Sequence, residues 1–277
     1  MSTTGTAMNG VSAAWGEFSP RGLEKALIAA SRHSLLGHGE ARRIIWRVLR
    51  ARSSRCFDVV VNHVRMRLFP FDNSVERTLL LRPQKAYPRD LAFLRAALQS
   101  APTLVDVGAN IGAMSLPMAR IPSVRVIGVE PGPEALNRLR FNIAANEFAN
   151  FQVDPVALSD ANSSIRFFAD AKDIKLSGIG ASGPVGNSME VPTKTLATLL
   201  TDHAVDRPYV LKIDVERHED RVLLPFFAAA SREVWPAHIL IETLEREGVP
   251  ECVSFMLGNG YRQVLSTPQN TGLSLAR

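Results

Sequence analysis

The chain has 277 residues, 46% of them hydrophobic, and a formal net charge of +5. That length and apolar content supply one large core with a modest extension, and they exclude a disordered polyelectrolyte. No run approaches the roughly 18 consecutive apolar residues of a membrane span, the opening segment lacks the charged-then-apolar profile of a secretory leader, and the expected location is therefore the cytoplasm.

Cys56 and Cys252 stand far apart with no Cys-x-x-Cys spacing, so neither a disulfide framework nor a thiolate zinc site is expected, and both read as packed thiols. The charge is uneven. Residues 1–100 carry 16 Lys/Arg against 7 Asp/Glu, and residues 101–277 carry 16 against 20, so a +9 front precedes a −4 body. A basic front suits either a polyanionic partner or a solvated Arg-rich helical face.

Residues 1–19, rich in Ser, Thr, Gly and Ala without a period, read as a flexible terminus. Residues 20–100 read as an extension. It starts with helices over Arg21–His33 and Glu40–Ser53, separated by the breaker-rich Leu-Leu-Gly-His-Gly segment. In the second helix Ile44, Ile45, Val48 and Leu49 share a face flanked by Arg43, Arg47 and Arg50. Such a helix either docks on a neighbouring domain or makes a peripheral membrane contact. The runs DVVV, HVRMRLF and RTLLL between Phe57 and Leu81 predict a small antiparallel sheet, and Asp90–Gln99 a short helix.

From 101 to 277 short β-rich runs alternate with helical ones: TLVDVG, a helix over 112–120, VRVIGVE, a helix over 133–146, FQVDPVAL, YVLKIDV, a helix over 218–230, HILIE, a helix over 247–258, and YRQVL. This rhythm predicts a parallel α/β sheet covered on both faces. It breaks at 170–194, a Gly- and Ser-rich insert read as a lid over the sheet edge.

Four motifs carry chemistry. In LVDVGANIG, Gly108 and Gly112 allow backbone to approach a ligand, and the following helix start offers unpaired N–H groups. The Gly-x-Asn-x-Gly spacing is not that of a pyrophosphate cradle, and Asp106 would repel a diphosphate. An acid there suits a cationic ammonium, such as the methionine end of S-adenosylmethionine.

Glu130, closing the next strand 24 positions after Asp106, is placed to accept from a ribose diol, or else caps the helix starting at Pro133. Asp160, in Ala-Leu-Ser-Asp, borders the adenine or forms a turn. In VLKIDVERHE an apolar strand yields Asp214, Glu216 and His218 at its carboxyl end, where a carboxylate or imidazole can act as general base on an acceptor hydroxyl. Glu242, ending HILIE, adds a further carboxylate to the same rim. The carboxylates of Asp214, Glu216 and Glu242 could hold Mg²⁺, but no metal site is assigned.

Together VDVGANIG, GVEPGPEALNRLRFNIAAN, ALSD, TLATLL and VLKIDVERHEDRVL resemble the FkbM-type methyltransferase family over about residues 60–245. The resemblance implies a Rossmann-like class I methyltransferase fold, a mostly parallel sheet with helices on both faces, over 101–277. It also implies S-adenosylmethionine as cofactor and, commonly, O-methylation of hydroxyls on sugars, glycolipids or secondary metabolites. Asp106, Gly108, Asn110 and Gly112 would then form the cofactor turn, with Glu130 on ribose and Asp160 beside adenine. Asp214 and Glu216 fall on the family's acidic strand-end motif, with Arg217 where the family usually has glycine. Tyr87 resembles the family's upstream tyrosine, but with Pro88 as its neighbour it is not assigned. Partners expected are a small-molecule or glycan acceptor, with no nucleic acid. Two alternatives stand beside this reading: a nucleotide-dependent oxidoreductase on the same fold, and a non-catalytic adaptor using the basic front.

Overall fold

The computed structural model describes residues 13–33, 39–52, 56–168, 178–179, 188–244 and 248–276. Helices α1 (Gly22–His33) and α2 (Gly39–Arg52) lead into a hairpin of β1 (Phe57–Val61) and β2 (Val64–Leu68). Its two-residue turn places both Asn62 and His63 at positive φ, as a hairpin turn matched to strand twist requires.

The third run, RTLLL, is not a strand. Asn73 accepts the N–H groups of Val75 (2.9 Å) and Glu76 (3.2 Å), and that cap starts helix α3 (Ser74–Leu81), which turns Leu79, Leu80 and Leu81 into the core. At the other end of α3, Arg32 Nε donates to Leu80 O (2.8 Å) and Ser31 Oγ to Leu81 O (3.0 Å), so α1 satisfies the carbonyls that a helix terminus leaves open. Helix α4 (Pro88–Ala97) follows.

Residues 13–19 are not loose. Arg67, 1% exposed, donates to Ala13 O and Ala14 O (both 2.8 Å), while Asp58 Oδ2 accepts the N–H groups of Gly16 and Phe18. The Arg67–Asp58 pair is itself buried, at 2.7 Å, and Phe18 and Phe141 lie against the guanidinium. The rest of the expected flexible terminus, residues 1–12, lies outside the described residues.

The main sheet is built from β3 (Thr103–Val107), β4 (Arg125–Val129), β5 (Phe151–Asp154), β10 (Tyr209–Ile213), β11 (His238–Glu242), β12 (Tyr261–Ser266) and β13 (Asn270–Leu275). Its order is β12-β13-β11-β10-β3-β4-β5, with β11, β10, β3, β4 and β5 mutually parallel and β13 antiparallel to both β11 and β12. The sheet is thus mostly parallel. The closing strand β13 is not among the expected runs, because its Asn-Thr-Gly-Leu-Ser-Leu composition carries little β signal.

Alternate strand residues face two different cores. Leu104, Val126, Val210 and Leu240 pack on the side of the N-terminal extension, whereas Val105, Ile127, Leu211 and Ile239 pack on the other. Helices α7 (Leu196–Asp202), α8 (Glu219–Ala229) and α9 (Glu251–Gly258) supply the second core. Helix α6 (Pro133–Ala145) contributes Leu139 to the first, which runs without a break from Ile28 and Ile45 to Leu104 and Val126.

Three further expectations change. The helix over 112–120 shrinks to one turn, α5 (Leu116–Ala119), because Gly112 is held at φ +85° and Pro122 stops the chain soon after Arg120. The helix over 247–258 starts only at Glu251, after Pro250. FQVDPVAL breaks at Pro155, and its second half, β6 (Ala157–Leu158), joins a separate sheet with β7 (Ser163–Phe168), β8 (Gly178–Ile179) and β9 (Ser188–Lys194), in the order β6-β9-β7-β8. Within the insert read as a lid, residues 188–194 are therefore a strand, while 170–177 and 180–187 lie outside the described residues.

Candidate functional site

The chain order of the sheet reverses between β3 and β10, and ligands of open α/β sheets bind at the carboxyl ends of strands at such a point. A cavity of about 1260 Å³, including its open mouth, occupies that place. Asp106, Gly108, Asn110, Glu130, Asp214 and Glu216 all line it, so six of the nine residues expected from the sequence share one wall system. Gly112 is not among the lining residues, though its neighbours Ile111 and Ala113 are.

Each glycine has a physical reason. At Gly108 (φ +74°) a Cβ would lie 1.9 Å from the Asp214 carbonyl oxygen, because the ends of β3 and β10 nearly touch there. At Gly112 (φ +85°) a Cβ would meet the side chains of Leu116 and Leu139 at 2.6–2.8 Å. Asn110 also adopts positive φ, and its N–H is directed to Glu130 Oε2 (2.8 Å) rather than into open space. The cavity is therefore walled by the turn itself. No helix N-terminus of useful length follows it.

Glu130 accepts from Asn110 N–H through one oxygen and from Gly132 N–H (2.7 Å) through the other; it bonds the residue before α6 without capping that helix, and each oxygen keeps acceptor capacity. Burial pushes its carboxyl up to about 7, against the opposing pull of those two N–H groups.

Lys212 is the residue that the sequence did not single out. The β3–β10 register sets it beside Asp106, with both side chains buried. Its Nζ lies 3.1 Å from Asp106 Oδ1 and 3.8 Å from Asp214 Oδ2, and donates to Gly108 O (2.8 Å). Burial alone would lower its pKa, but Asp106 and Asp214 hold it above the ordinary lysine value. Asp106 is thus already charge-balanced. Its Oδ1, however, has no aligned hydrogen bond and is 1% exposed at residue level, which leaves a buried acceptor beside the cavity. Two acids against one lysine give this corner a net negative charge, so the residues fit an ammonium-bearing ligand.

Beyond β10 the chain turns through Glu216 (φ +52°) and Arg217 (φ +73°), two consecutive non-glycine residues in the left-handed region. The family's usual glycine at the second position answers that geometry. The turn brings carboxylate oxygens of Asp214, Glu216 and Glu242 within 4.8 Å of one another, a hard donor set suited to a proton, a cationic group or a divalent cation.

Two expected residues point elsewhere. His218 is buried with Nε2 3.0 Å from Ser159 Oγ, and it does not line the cavity; burial and Arg221 hold its imidazole below the ordinary histidine range. Asp160 is exposed, faces Arg221 (3.4 Å), and is likewise absent from the cavity wall. The chain leaves β6 heading toward α8, so Leu158 and Phe167 replace Asp160 as that wall. Phe167 comes from the added sheet, which no strand signal in the main rhythm announces. Tyr87 and Val75, from the extension, also line the cavity. Burial first, then the nearby charge of Asp214, raises the Tyr87 phenol well above its usual pKa, so it remains a donor.

Comparison with known proteins bears on this geometry. A family model described as "Methyltransferase FkbM domain" matches residues 106–262. The 31-O-demethyl-FK506 methyltransferase FkbM of Streptomyces tacrolimicus is 28% identical over 212 residues, covering 63% of this chain and 79% of that protein. Among solved structures, precorrin-6y C5,15-methyltransferase from Geobacter metallireducens aligns with TM-score 0.42 and 15% identity over 69% of this chain and 89% of that one. A putative RNA methyltransferase from Pyrococcus horikoshii aligns with TM-score 0.40 and 15% identity over 70% and 85%. The family match spans more than half of the chain and starts at the aspartate beside Lys212, and the chain belongs to the FkbM family of S-adenosylmethionine-dependent methyltransferases.

Proposed function

We propose that the protein methylates a hydroxyl oxygen on a sugar, glycolipid or secondary metabolite. The observation that carries this reading is that Asp214 and Glu216 line the same cavity as the glycine turn, so a proton acceptor stands beside the cofactor's place. Bound S-adenosylmethionine supplies a methyl group on a sulfonium, a leaving group that is already activated. The chain's own task is then alignment and removal of one proton.

In this reading Gly108 leaves room for the cofactor, Asp106 Oδ1 accepts from its ammonium, and Glu130 accepts from the ribose hydroxyls. Leu158 and Phe167 take the adenine in place of Asp160. Asp214 or Glu216 receives the hydroxyl proton, and His218, turned toward Ser159, has no part in the transfer. Tyr87 keeps a phenolic donor at the cavity wall.

The test pairs binding with turnover. Glu216→Gln should keep calorimetric affinity for S-adenosylhomocysteine and Asp214→Asn, which also removes one acid from the ammonium corner, should lower it only severalfold, while one of them loses transfer about 10²–10⁴-fold, the usual worth of a positioned base. The acceptor is identified by incubating labelled S-adenosylmethionine with fractionated cell extract and locating the added methyl by mass. Full rates in both variants, or a methyl found on nitrogen or carbon, would remove the proposal.

A further inference from the structure

Helix α2 buries Ile45 (5% exposed) and Leu49 (1%) and packs Trp46 against Phe71, with ring centroids 4.9 Å apart. Of the stripe predicted for docking, Ile45 and Leu49 are thus used within the chain, whereas Ile44 is not. What remains outside is a second face. Glu40, Arg43, Ile44, Arg47, Arg50 and Ala51 are all exposed, and at 3.6 residues per turn they fall within an arc of about 120° and a length of about 17 Å.

Two features of this face stand out. First, its charge is little neutralised. Arg43 pairs with Glu40 (2.8 Å), but both are more than 60% exposed, and among the described residues no carboxylate lies within ion-pair distance of Arg47 or Arg50. The positive field continues sideways. Arg42 lies close enough to Arg82 to help hold that guanidinium below its ordinary range, after the larger effect of partial burial. Second, apolar groups sit among the cations: Ile44 is 56% exposed, and Leu23 on the adjoining α1 is 52% exposed.

We propose that this face of α2 docks on an anionic membrane surface. A polyanion such as nucleic acid needs cations alone, whereas a bilayer interface also accepts the isoleucine that this helix leaves in water. The position matters as well. Trp46, which packs on Phe71, also lies beneath the guanidinium of Arg77 on α3, the helix whose Val75 lines the cavity. A surface held by α2 therefore lies close to the extension's side of the site.

The test is sedimentation of the full chain with vesicles of phosphatidylcholine containing 30 mol% phosphatidylserine, against vesicles of phosphatidylcholine alone, at about 0.1 M salt. At about 1 kcal/mol per basic residue near such a surface, the three exposed arginines predict roughly 100-fold stronger partitioning to the anionic vesicles. The variant Arg43→Glu/Arg47→Glu/Arg50→Glu should lose that preference with an unchanged melting temperature, and Ile44→Asp should weaken binding severalfold. Equal binding to both vesicle types, or unchanged partitioning by either variant, overturns the proposal. So does arginine-dependent binding of a single-stranded oligonucleotide in the absence of vesicle binding.

Discussion

The Asp106–Lys212 pair allows a sharp test of what holds the centre of the sheet together. Lys212→Met keeps the length and most of the apolar stem but removes the ammonium, leaving Asp106, 1% exposed, without its cation, and leaving Gly108 O without a donor at 2.8 Å. Breaking a buried pair from one side costs about 3–5 kcal/mol, because a charge is stranded in low dielectric. For a chain of this size that corresponds to a fall in melting temperature on the order of 10 °C.

The loss has a pH signature. A carboxylate stranded in low dielectric escapes its penalty by taking up a proton, so the loss is relieved at low pH and felt in full at high pH. The gap between variant and parent should therefore be wider at pH 8 than at pH 5. The double variant Asp106→Asn/Lys212→Met should recover most of the loss, with a coupling of at least about 2 kcal/mol. The readout is the midpoint of thermal unfolding for all four proteins at both pH values. A Lys212→Met protein melting within 2 °C of the parent at pH 8, or a gap independent of pH, would show that the pair is not what the distances imply.

Three other outcomes follow from the site. Gly108→Ala puts a methyl 1.9 Å from the Asp214 carbonyl at a φ of +74°, so it should cost about 3 kcal/mol and weaken S-adenosylhomocysteine binding at least 10-fold by calorimetry; normal affinity would refute the close approach. Arg217→Gly relieves a left-handed residue at φ +73° worth about 1–2 kcal/mol, less the entropy of the new glycine, for a net gain of about 0.5–1 kcal/mol and a melt roughly 2 °C higher. Because Glu130 is pushed up to about 7 and its ionised form accepts from ligand hydroxyls more strongly than its protonated form, S-adenosylhomocysteine affinity should rise up to about 10-fold from pH 6 to pH 8. Glu130→Gln should flatten that profile, and an equally steep profile in the variant would assign the titration to another group.

The sequence was most informative where one strand and its turn say everything locally. TLVDVG and VRVIGVE carry their burial alternation, their glycines and their terminal acids in one stretch, and the fold uses them as written. It was least informative where meaning depends on a distant partner. Lys212 stands in an otherwise apolar strand and reads as an isolated polar residue until the register sets it beside Asp106, more than a hundred positions upstream. His218 and Asp160 had the right chemistry at the right strand ends, but the direction in which a loop leaves a strand is set by tertiary packing, here the Ser159–His218 and Asp160–Arg221 contacts. RTLLL is helical rather than a strand because a single capping asparagine outweighs a short apolar run of ambiguous period.

The unbroken core that joins Ile28, Ile45 and Leu49 to Leu104 and Val126 has a practical corollary for anyone cutting or recombining this enzyme. Removing the first 55 residues would lay open the greasy underside of the sheet and take away the donors that close the end of α3. A transplant that carried only residues 106–262 into a relative would leave Val75 and Tyr87 behind and so arrive with one wall of its chamber missing. The front third of the chain is a structural co-owner of the catalytic room, and chimeras that exchange acceptor preference should be spliced upstream of Ala13, not at the family boundary.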